Sequence, residues 1–277
     1  MVPLLTAERG WLGIGGLVLL LLLESVQPFR RPVDSRWRRY LINLFIAGSN
    51  ALLLSVLLGG LIVAAYQSFA LHRVGLLHQL GIGAWWNVGL TIVVLDGVTY
   101  VWHRAYHGVP VMWRMHRVHH SDRDVDVTTA GRFHLTEMGL SALFRLGVIA
   151  LWGADLAAVV LFEIIFGLLN QLEHSNLRIP EPFETWLRWV LVTPDMHRIH
   201  HSKQLSHTNS NYATIFSWWD RLLGTYRFGA DQRTLVLGLP EYQRPSDVTF
   251  GKVLAIPFGP PCGPGHQPAR VVATSPG

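Results

Sequence analysis

Three long apolar stretches limit what this chain can fold into. Residues 10–26, 41–66 and 82–100 are each about as long as a helix must be to cross a membrane. Half of the residues are hydrophobic and only 15% are charged, whereas soluble domains have about 25% charged residues. The first stretch lacks a clear cationic start and a small-residue cleavage site, which favours an anchor over a signal peptide. The sequence therefore predicts an integral-membrane protein of the all-α class.

A fourth apolar stretch, residues 138–170, is interrupted at Gly153-Ala154-Asp155. Two helices of about sixteen residues that meet at Gly153 are short for full spans. We therefore predict a re-entrant or interfacial helical hairpin; two complete short spans are the alternative, with the same sidedness. The predicted architecture is a membrane bundle of three spans plus this hairpin, with a cytoplasmic helical cap that includes a helix near residues 183–192.

The basic residues give a predicted orientation. The segment between the first two spans contains five arginines, namely Arg30, Arg31, Arg36, Arg38 and Arg39. The segment between the second and third spans contains one, Arg73. By the positive-inside rule the first loop is cytoplasmic, so the third span brings His103 to the cytoplasmic side. The cations do not follow one face together with aromatic residues, which argues against a nucleic-acid surface. The preference for Arg over Lys indicates a GC-rich bacterial genome, and hence the bacterial inner membrane.

Nine of the fourteen histidines stand in a pattern. One pair is four residues apart, namely His103 and His107. Two sets of three repeat the spacing i, i+3, i+4, namely His116, His119 and His120, and His197, His200 and His201. The ninth, His174, stands alone after the fourth apolar stretch. On a helix each set lies on one face. A single set could arise by chance, but the repetition argues against chance, and so many buried ionisable groups are costly without a ligand to hold.

Imidazole is a ligand for iron, zinc, copper and nickel. Nine imidazoles exceed the roughly six ligands that one first-row ion accepts, so the sequence predicts two metals with four or five imidazoles each. The single cysteine, Cys262, excludes a cysteine cage or an internal disulfide. The remaining histidines that we expect to be ordinary polar groups are His72, His78, His207 and His266.

Two other classes of protein use clustered histidines. A membrane metal transporter or metal-binding protein would place its ligands near the bilayer midplane, whereas the centres of the predicted spans contain no histidine. A haem protein would need only two facing histidines and would leave most of the nine unexplained. Both remain alternatives to an oxygen-activating enzyme.

The order of these motifs resembles the fatty acid hydroxylase and sterol desaturase superfamily of membrane di-iron oxygenases. The resemblance covers about residues 85–258 and rests on the histidine sets and on the segments around them: Arg132-Phe133-His134-Leu135-Thr136-Glu137, Glu173-His174-Ser175-Asn176, Thr193-Pro194, Asn211-Tyr212 and Trp219-Asp220-Arg221-Leu222-Leu223-Gly224-Thr225. The chain departs from the family pattern at Leu135, which replaces a proline, and at Ala213, which replaces a glycine. Asn170 stands where some members have a further histidine, so the ligands around His174 are the least defined.

The resemblance implies a centre of two iron ions, with the nine patterned histidines as ligands and O2 as co-substrate. By the affinity order of divalent metals, zinc can replace iron in overexpressed protein. The implied substrate is a lipid or sterol-like molecule. Hydroxylation, desaturation and ether cleavage stay open, because the outcome depends on where the substrate bond lies relative to the metals.

Groups outside the nine histidines receive supporting roles. Carboxylates close in sequence could orient the imidazole N–H groups, or could be ordinary surface and capping groups: Asp122, Glu137, Glu173, Asp195 and Asp220. We expect His134 to be a structural neighbour of the metals and His207 to be peripheral. Four tryptophans, namely Trp102, Trp113, Trp218 and Trp219, either line a substrate channel or, as we prefer, anchor the protein at the membrane interface.

The chain has no dinucleotide fingerprint, haem-attachment pair or cysteine cluster, so electrons must come from an external ferredoxin or cytochrome with its reductase. Basic segments at 114–123 and 198–203 could dock that donor, or could be solvated loops or lipid contacts. The predicted organisation is an anchor region at 1–80, a catalytic domain at 81–258 and a flexible tail at 259–277.

Overall fold

The computed structural model describes residues 2–260, with side chains from residue 9 onward, and all regular elements in that part of the chain are helices. The α-helices are α1 Val2–Val26, α2 Arg36–His72, α3 Leu76–Gln79, α4 Ala84–Gly108, α5 Pro110–His120, α6 Leu135–Trp152, α7 Leu156–His174, α8 Phe183–Leu187, α9 Pro194–His200, α10 Leu205–Thr208, α11 Trp218–Leu222 and α12 Phe250–Ala255. Cys262, His266 and the predicted tail after residue 260 lie outside the described residues.

Five segments of the described chain are long and apolar enough to cross a membrane: α1, the α2–α3 segment, α4, α6 and α7. This confirms the all-α, membrane-type class. Helix α2 is longer than the predicted span 41–66, since it has 37 residues. At 1.5 Å per residue it extends about 55 Å. It ends where Arg73 turns left-handed at φ 47° and donates its backbone N–H to the Phe69 carbonyl.

The predicted break in the fourth apolar stretch is present. Gly153 adopts φ 80°, and a Cβ there would lie 2.9 Å from the carbonyl carbon of Gly75, so the turn requires glycine. The Asn87 amide donates to the Gly153 carbonyl at 3.1 Å and accepts from the Asp155 N–H at 3.1 Å. Helices α6 and α7 have 18 and 19 residues, so they are long enough to serve either as a hairpin or as two short spans.

The ends of the long helices that carry the histidines lie together at one end of the bundle. Asn50, in the first half of α2, donates to the Phe133 carbonyl, which precedes α6. Phe29, after α1, donates its backbone N–H to the Asn176 carbonyl, which follows α7. The α1–α2 loop and the first turn of α2, which together hold the five arginines, therefore lie at the same end as the histidines.

One of those arginines has a structural role that the topology argument missed. Arg39 is only 5% exposed and bonds to Asp122 at 2.8 Å and to Asp126 at 2.5 Å. Asn43, one turn later on α2, donates to the same Asp122 carboxylate at 3.1 Å. A buried charge must be paired in this way, so Arg39 joins α2 to the loop that follows α5.

The cap consists of short helices and irregular segments, and part of it runs alongside α4. The predicted helix at 183–192 ends at Leu187, and Leu191 then forms an isolated antiparallel bridge with Phe216. Asp96, in the middle of α4, accepts the backbone N–H groups of Ile215 and Phe216 at 3.2 and 3.0 Å. It also accepts the indole N–H of Trp219 at 2.9 Å. The carboxylate thus accepts hydrogen bonds from backbone N–H groups that have no helical partner where an irregular segment packs against an apolar helix.

We predict that Asp96→Leu destabilises the folded protein. Each buried donor left unpaired costs about 1–3 kcal/mol, and three donors bond to Asp96. The measurement is thermal unfolding in detergent, with Asp155→Leu as control, because that side chain is 41% exposed. Equal melting temperatures for the two variants would contradict the assigned role.

Candidate metal centre

Four helices supply the nine patterned histidines. Their positions follow from helical spacing: α4 carries His103 and His107, α5 carries His116, His119 and His120, α7 ends at His174, and α9 with its C-terminal cap carries His197, His200 and His201. Eight of the nine are classed as buried, and His103 is partly buried. The structure therefore brings all nine predicted positions to one end of the bundle.

The nine histidines form two groups, in each of which the candidate ligand atoms lie within 4.8 Å of one another. The five-histidine group is His103, His107, His116, His120 and His200, and the four-histidine group is His119, His174, His197 and His201. Each repeated sequence box is divided between the groups. His119 of the first box belongs to the four-histidine group with His197 and His201, and His200 of the second box belongs to the five-histidine group. The sequence predicted two groups of this size but not this division.

Hydrogen bonds fix which nitrogen faces inward in the five-histidine group. His103 Nδ1 lies 2.8 Å from the Tyr212 carbonyl, and His200 Nδ1 lies 2.7 Å from the Ser210 carbonyl. A carbonyl only accepts, so each Nδ1 carries the hydrogen and a neutral ring keeps its lone pair on Nε2. His103 Nε2 is 3.1 Å from His116 Nε2.

The four-histidine group is arranged in the same way. His174 donates from Nδ1 to the Asn170 carbonyl at 2.6 Å, which leaves the lone pair on its Nε2. That Nε2 lies 2.9 Å from His197 Nε2 and 3.1 Å from His119 Nε2. Asn170 itself turns its amide to the Ala130 carbonyl at 3.2 Å, so its backbone rather than its side chain supports His174.

The histidines outside the long helices are held in the neutral form. Burial keeps the pKa of each well below its ordinary value, and neighbouring imidazoles lower it further: His116, His119, His120, His197, His200 and His201. Neutral imidazole is the form that coordinates metals.

Several ring nitrogens in both groups are buried without a hydrogen-bond partner among the described residues. They are both nitrogens of His107, Nε2 of His120 and His200, and Nδ1 of His119, His197 and His201. Unpaired buried nitrogens are destabilising, and several lone pairs facing one another repel. A cation within each group would bind the nitrogens that face inward and would relieve the repulsion between their lone pairs, so the residues present fit two metal ions.

One buried carboxylate lies beside each group. Glu137 Oε1 is 2.6 Å from His116 Nδ1. The Glu173 carboxylate is 3.7 Å from His197 Nδ1 and 3.9 Å from His174 Nδ1. Glu137 thus occupies the orienting position predicted for it, whereas Glu173 lies beyond hydrogen-bond distance of both rings, and its orienting role stays a prediction.

For the other three predicted carboxylates the orienting role is wrong. Asp122 pairs with Arg39, and Asp195 pairs with Arg198 at 2.7 Å. Asp220 accepts the backbone N–H of Tyr212 at 2.8 Å, so it supports only indirectly the carbonyl that His103 contacts.

Arginines inside the repeated boxes anchor the helices and are not surface groups. Arg117 and Arg198 are each 1% exposed; Arg117 donates to the Ile256 carbonyl at 2.8 Å and Arg198 to the Leu177 carbonyl at 3.1 Å. Arg123 pairs with Asp34 at 2.8 Å. The prediction that these cations dock a partner is therefore wrong for buried Arg117 and Arg198, and it stays a prediction for Arg123, which is partly exposed.

The remaining singled-out side chains lie outside the two histidine groups. His134 caps α6, since its Nδ1 accepts the Thr136 N–H at 3.3 Å, and His207 also lies outside both groups. Trp113 is 3% exposed and Trp219 donates to buried Asp96, so interfacial anchoring is wrong for these two tryptophans. Trp102 stacks on Phe144 with ring centroids 3.8 Å apart.

A bundle of apolar helices that gathers two adjacent, buried histidine groups at one end defines a helical, membrane-type candidate metalloprotein. Residues 88–225 match the sequence profile of the family described as fatty acid hydroxylase, and this range contains all nine histidines. Residues 88–225 therefore form a domain of the fatty acid hydroxylase family.

Three curated relatives illustrate the similarity. Alkylglycerol monooxygenase of Xenopus tropicalis is 33% identical over 51% of this chain and 30% of its own length. Ornithine lipid hydroxylase OlsE of Rhizobium tropici is 34% identical over 50% of this chain and 41% of its own. Human cholesterol 25-hydroxylase is 27% identical over 49% of this chain and 49% of its own. The matches thus span less than half of each relative, and a comparison with solved structures found no match.

We predict that double variants separate the two groups by metal content. His119→Ala/His201→Ala removes two ligands from the four-histidine group and should cost one metal. His119→Ala/His200→Ala removes one ligand from each group and should reduce both sites. Metal per chain is measured by mass spectrometry after purification, with His134→Ala as the control that keeps both metals. The division of the boxes between the groups is wrong if His119→Ala/His201→Ala reduces both sites and His119→Ala/His200→Ala does not.

We predict that Glu137→Gln weakens metal binding without unfolding the protein. Glutamine keeps the shape but removes the charge that orients His116, a change that lowers metal affinity about 10- to 100-fold in other sites. Competition with a chelator measures the affinity, and exposed Glu241→Gln is the matched control. An unchanged affinity for Glu137→Gln would show that this hydrogen bond does not affect the metal.

Proposed function

We propose that the chain is a membrane oxidoreductase that uses O2 to oxidise a C–H bond of a lipid or sterol-like substrate. It would do so with two iron ions held by the nine histidines. The observation that carries this proposal is the convergence of imidazole nitrogens in two adjacent groups, with separations of 2.9 to 3.1 Å between Nε2 atoms. A site built from neutral imidazoles suits iron, and zinc as a substitute.

Iron bound to the imidazoles would activate O2. The residues of the chain would hold the iron and shield it from water. The carbonyls of Tyr212, Ser210 and Asn170 fix three rings through their Nδ1–H groups. Glu137 keeps a proton on, or shares one with, His116 Nδ1. Burial of the rings limits access of water. These contacts would hold the imidazole rings in the orientation that binds the ions.

The names of the relatives support a lipid as the substrate. An alkylglycerol, an ornithine lipid and cholesterol are all lipids, and the relatives are named as monooxygenases or hydroxylases. We therefore favour insertion of oxygen into a C–H bond over desaturation, and ether cleavage stays open. The position of the histidine groups at the end of apolar helices is consistent with a substrate that reaches the site from the bilayer.

The same proposal includes a cytoplasmic site in a bacterial inner membrane and an external electron donor. The five arginines and the histidines lie at the same end of the bundle, which by the positive-inside rule would face the cytoplasm. A ferredoxin or cytochrome with its reductase would deliver electrons there. The position of the histidines at helix ends, away from helix centres, speaks against metal transport.

The reaction is tested by lipid analysis of cells that express the chain under ¹⁸O2. We expect a lipid that carries ¹⁸O in cells with the wild-type chain, loss of that product with His119→Ala, and its retention with His134→Ala. The first variant removes a candidate ligand and the second a helix cap. Metal flux in proteoliposomes without consumption of O2, or unlabelled lipids in every strain, would refute the oxygenase proposal.

A further inference from the structure

An exposed apolar surface on the cap has no role in the proposed chemistry. Its members, here called the apolar edge, come from α8, α11 and the residues that follow each helix; their exposed fractions are Phe183 70%, Trp186 74%, Trp189 62%, Val190 49%, Leu222 73% and Leu223 46%. Contiguous apolar surface of this kind marks an interaction site.

The two segments of the apolar edge lie side by side. The Ser217 N–H donates to the Val190 carbonyl at 3.1 Å. The Arg221 guanidinium lies 4.7 Å from the centre of the Trp189 ring and donates to the Arg188 carbonyl at 2.8 Å. The edge is therefore one surface built from two parts of the chain.

Contacts with α4 set the level of the apolar edge along the bundle. Tyr212 contacts His103 near the end of α4, whereas Phe216 and Trp219 contact Asp96. The seven residues from His103 back to Asp96 correspond to about 10 Å along a helix. The cap segment thus descends from the histidines to the middle of α4, and α11 lies at the lower end of that descent.

The middle of α4 is also the middle of a helix that is long and apolar enough to cross a membrane, with Asp96 twelve residues from each end of Ala84–Gly108. We propose that the apolar edge is inserted into the bilayer and contacts lipid acyl chains. Lipid would cover the aromatic and aliphatic side chains that the isolated chain leaves exposed. The inference does not depend on which reaction the site performs.

The charges at this edge are compatible with insertion. Arg188 forms an ion pair with Glu184 one turn earlier and lies 3.8 Å from the centre of the Phe228 ring. Arg221 lies 3.6 Å from the centre of the Tyr226 ring. The long aliphatic stem of an arginine can lie against apolar surface while its charged end reaches a paired or aromatic partner or the membrane interface.

Spin labels can measure the depth of the edge in the intact chain. Cys262 is the only cysteine in the sequence, so a Cys262→Ser background accepts single labels through Trp186→Cys or Leu222→Cys. Controls on exposed cap positions use Arg233→Cys and Glu241→Cys. In lipid nanodiscs we expect edge labels to collide several-fold more with O2 than with a water-soluble nickel chelate, and control labels to show the reverse.

Two outcomes would overturn the proposal. Edge labels that collide mainly with the nickel chelate would place this surface in water. Labels shielded from both reagents, with short distances between labels in double electron–electron resonance, would assign the edge to contact with a second copy. Should a labelled variant fail to fold, a photoactivatable lipid added to the wild-type chain tests the same surface, with crosslinks expected within residues 183–190 and 222–223.

Discussion

The arrangement at the histidine end depends on one electrostatic constraint: imidazole lone pairs point at one another inside a protein. His174 Nε2 lies near two other ring nitrogens, and its own Nδ1 is committed to a backbone carbonyl. Such a cluster is costly unless the helix ends are held firmly, and a cation between the rings would lower that cost. The rest of this end of the bundle can be understood as the framework that holds those helix ends.

Buried arginines make up much of that framework. Arg132 donates to the Val118 carbonyl at 3.0 Å and to Ser121 Oγ at 2.9 Å, at the end of α5. It also bonds to Asn43 on α2 at 2.8 Å, where Arg39 joins the same network through Asp122. Because removing one partner would leave another charge buried and unpaired, this network links the anchor region to the helix that carries three of the histidines.

The apolar stretches predicted the helices and the break at Gly153. The spacing of the histidines predicted their convergence, because spacing decides which side chains share a helix face. It did not predict that His119 and His200 change groups, since that depends on how α5 packs against α9. Arg39 was interpreted only as a topology signal, because sequence does not show its pairing with Asp122. Asp96 was missed, although a lone carboxylate inside an apolar stretch is itself a signal of a specific partner.

The exchange of histidines between the repeated boxes has a consequence for biogenesis. The four-histidine group needs His119 from the first box and His197 and His201 from the second, and the five-histidine group needs His200. A ribosome that has completed only α4 and α5 has therefore made neither group in full. Binding of two ions would therefore follow synthesis and docking of α9, so the division of the boxes would delay assembly of the full centre until α9 is in place.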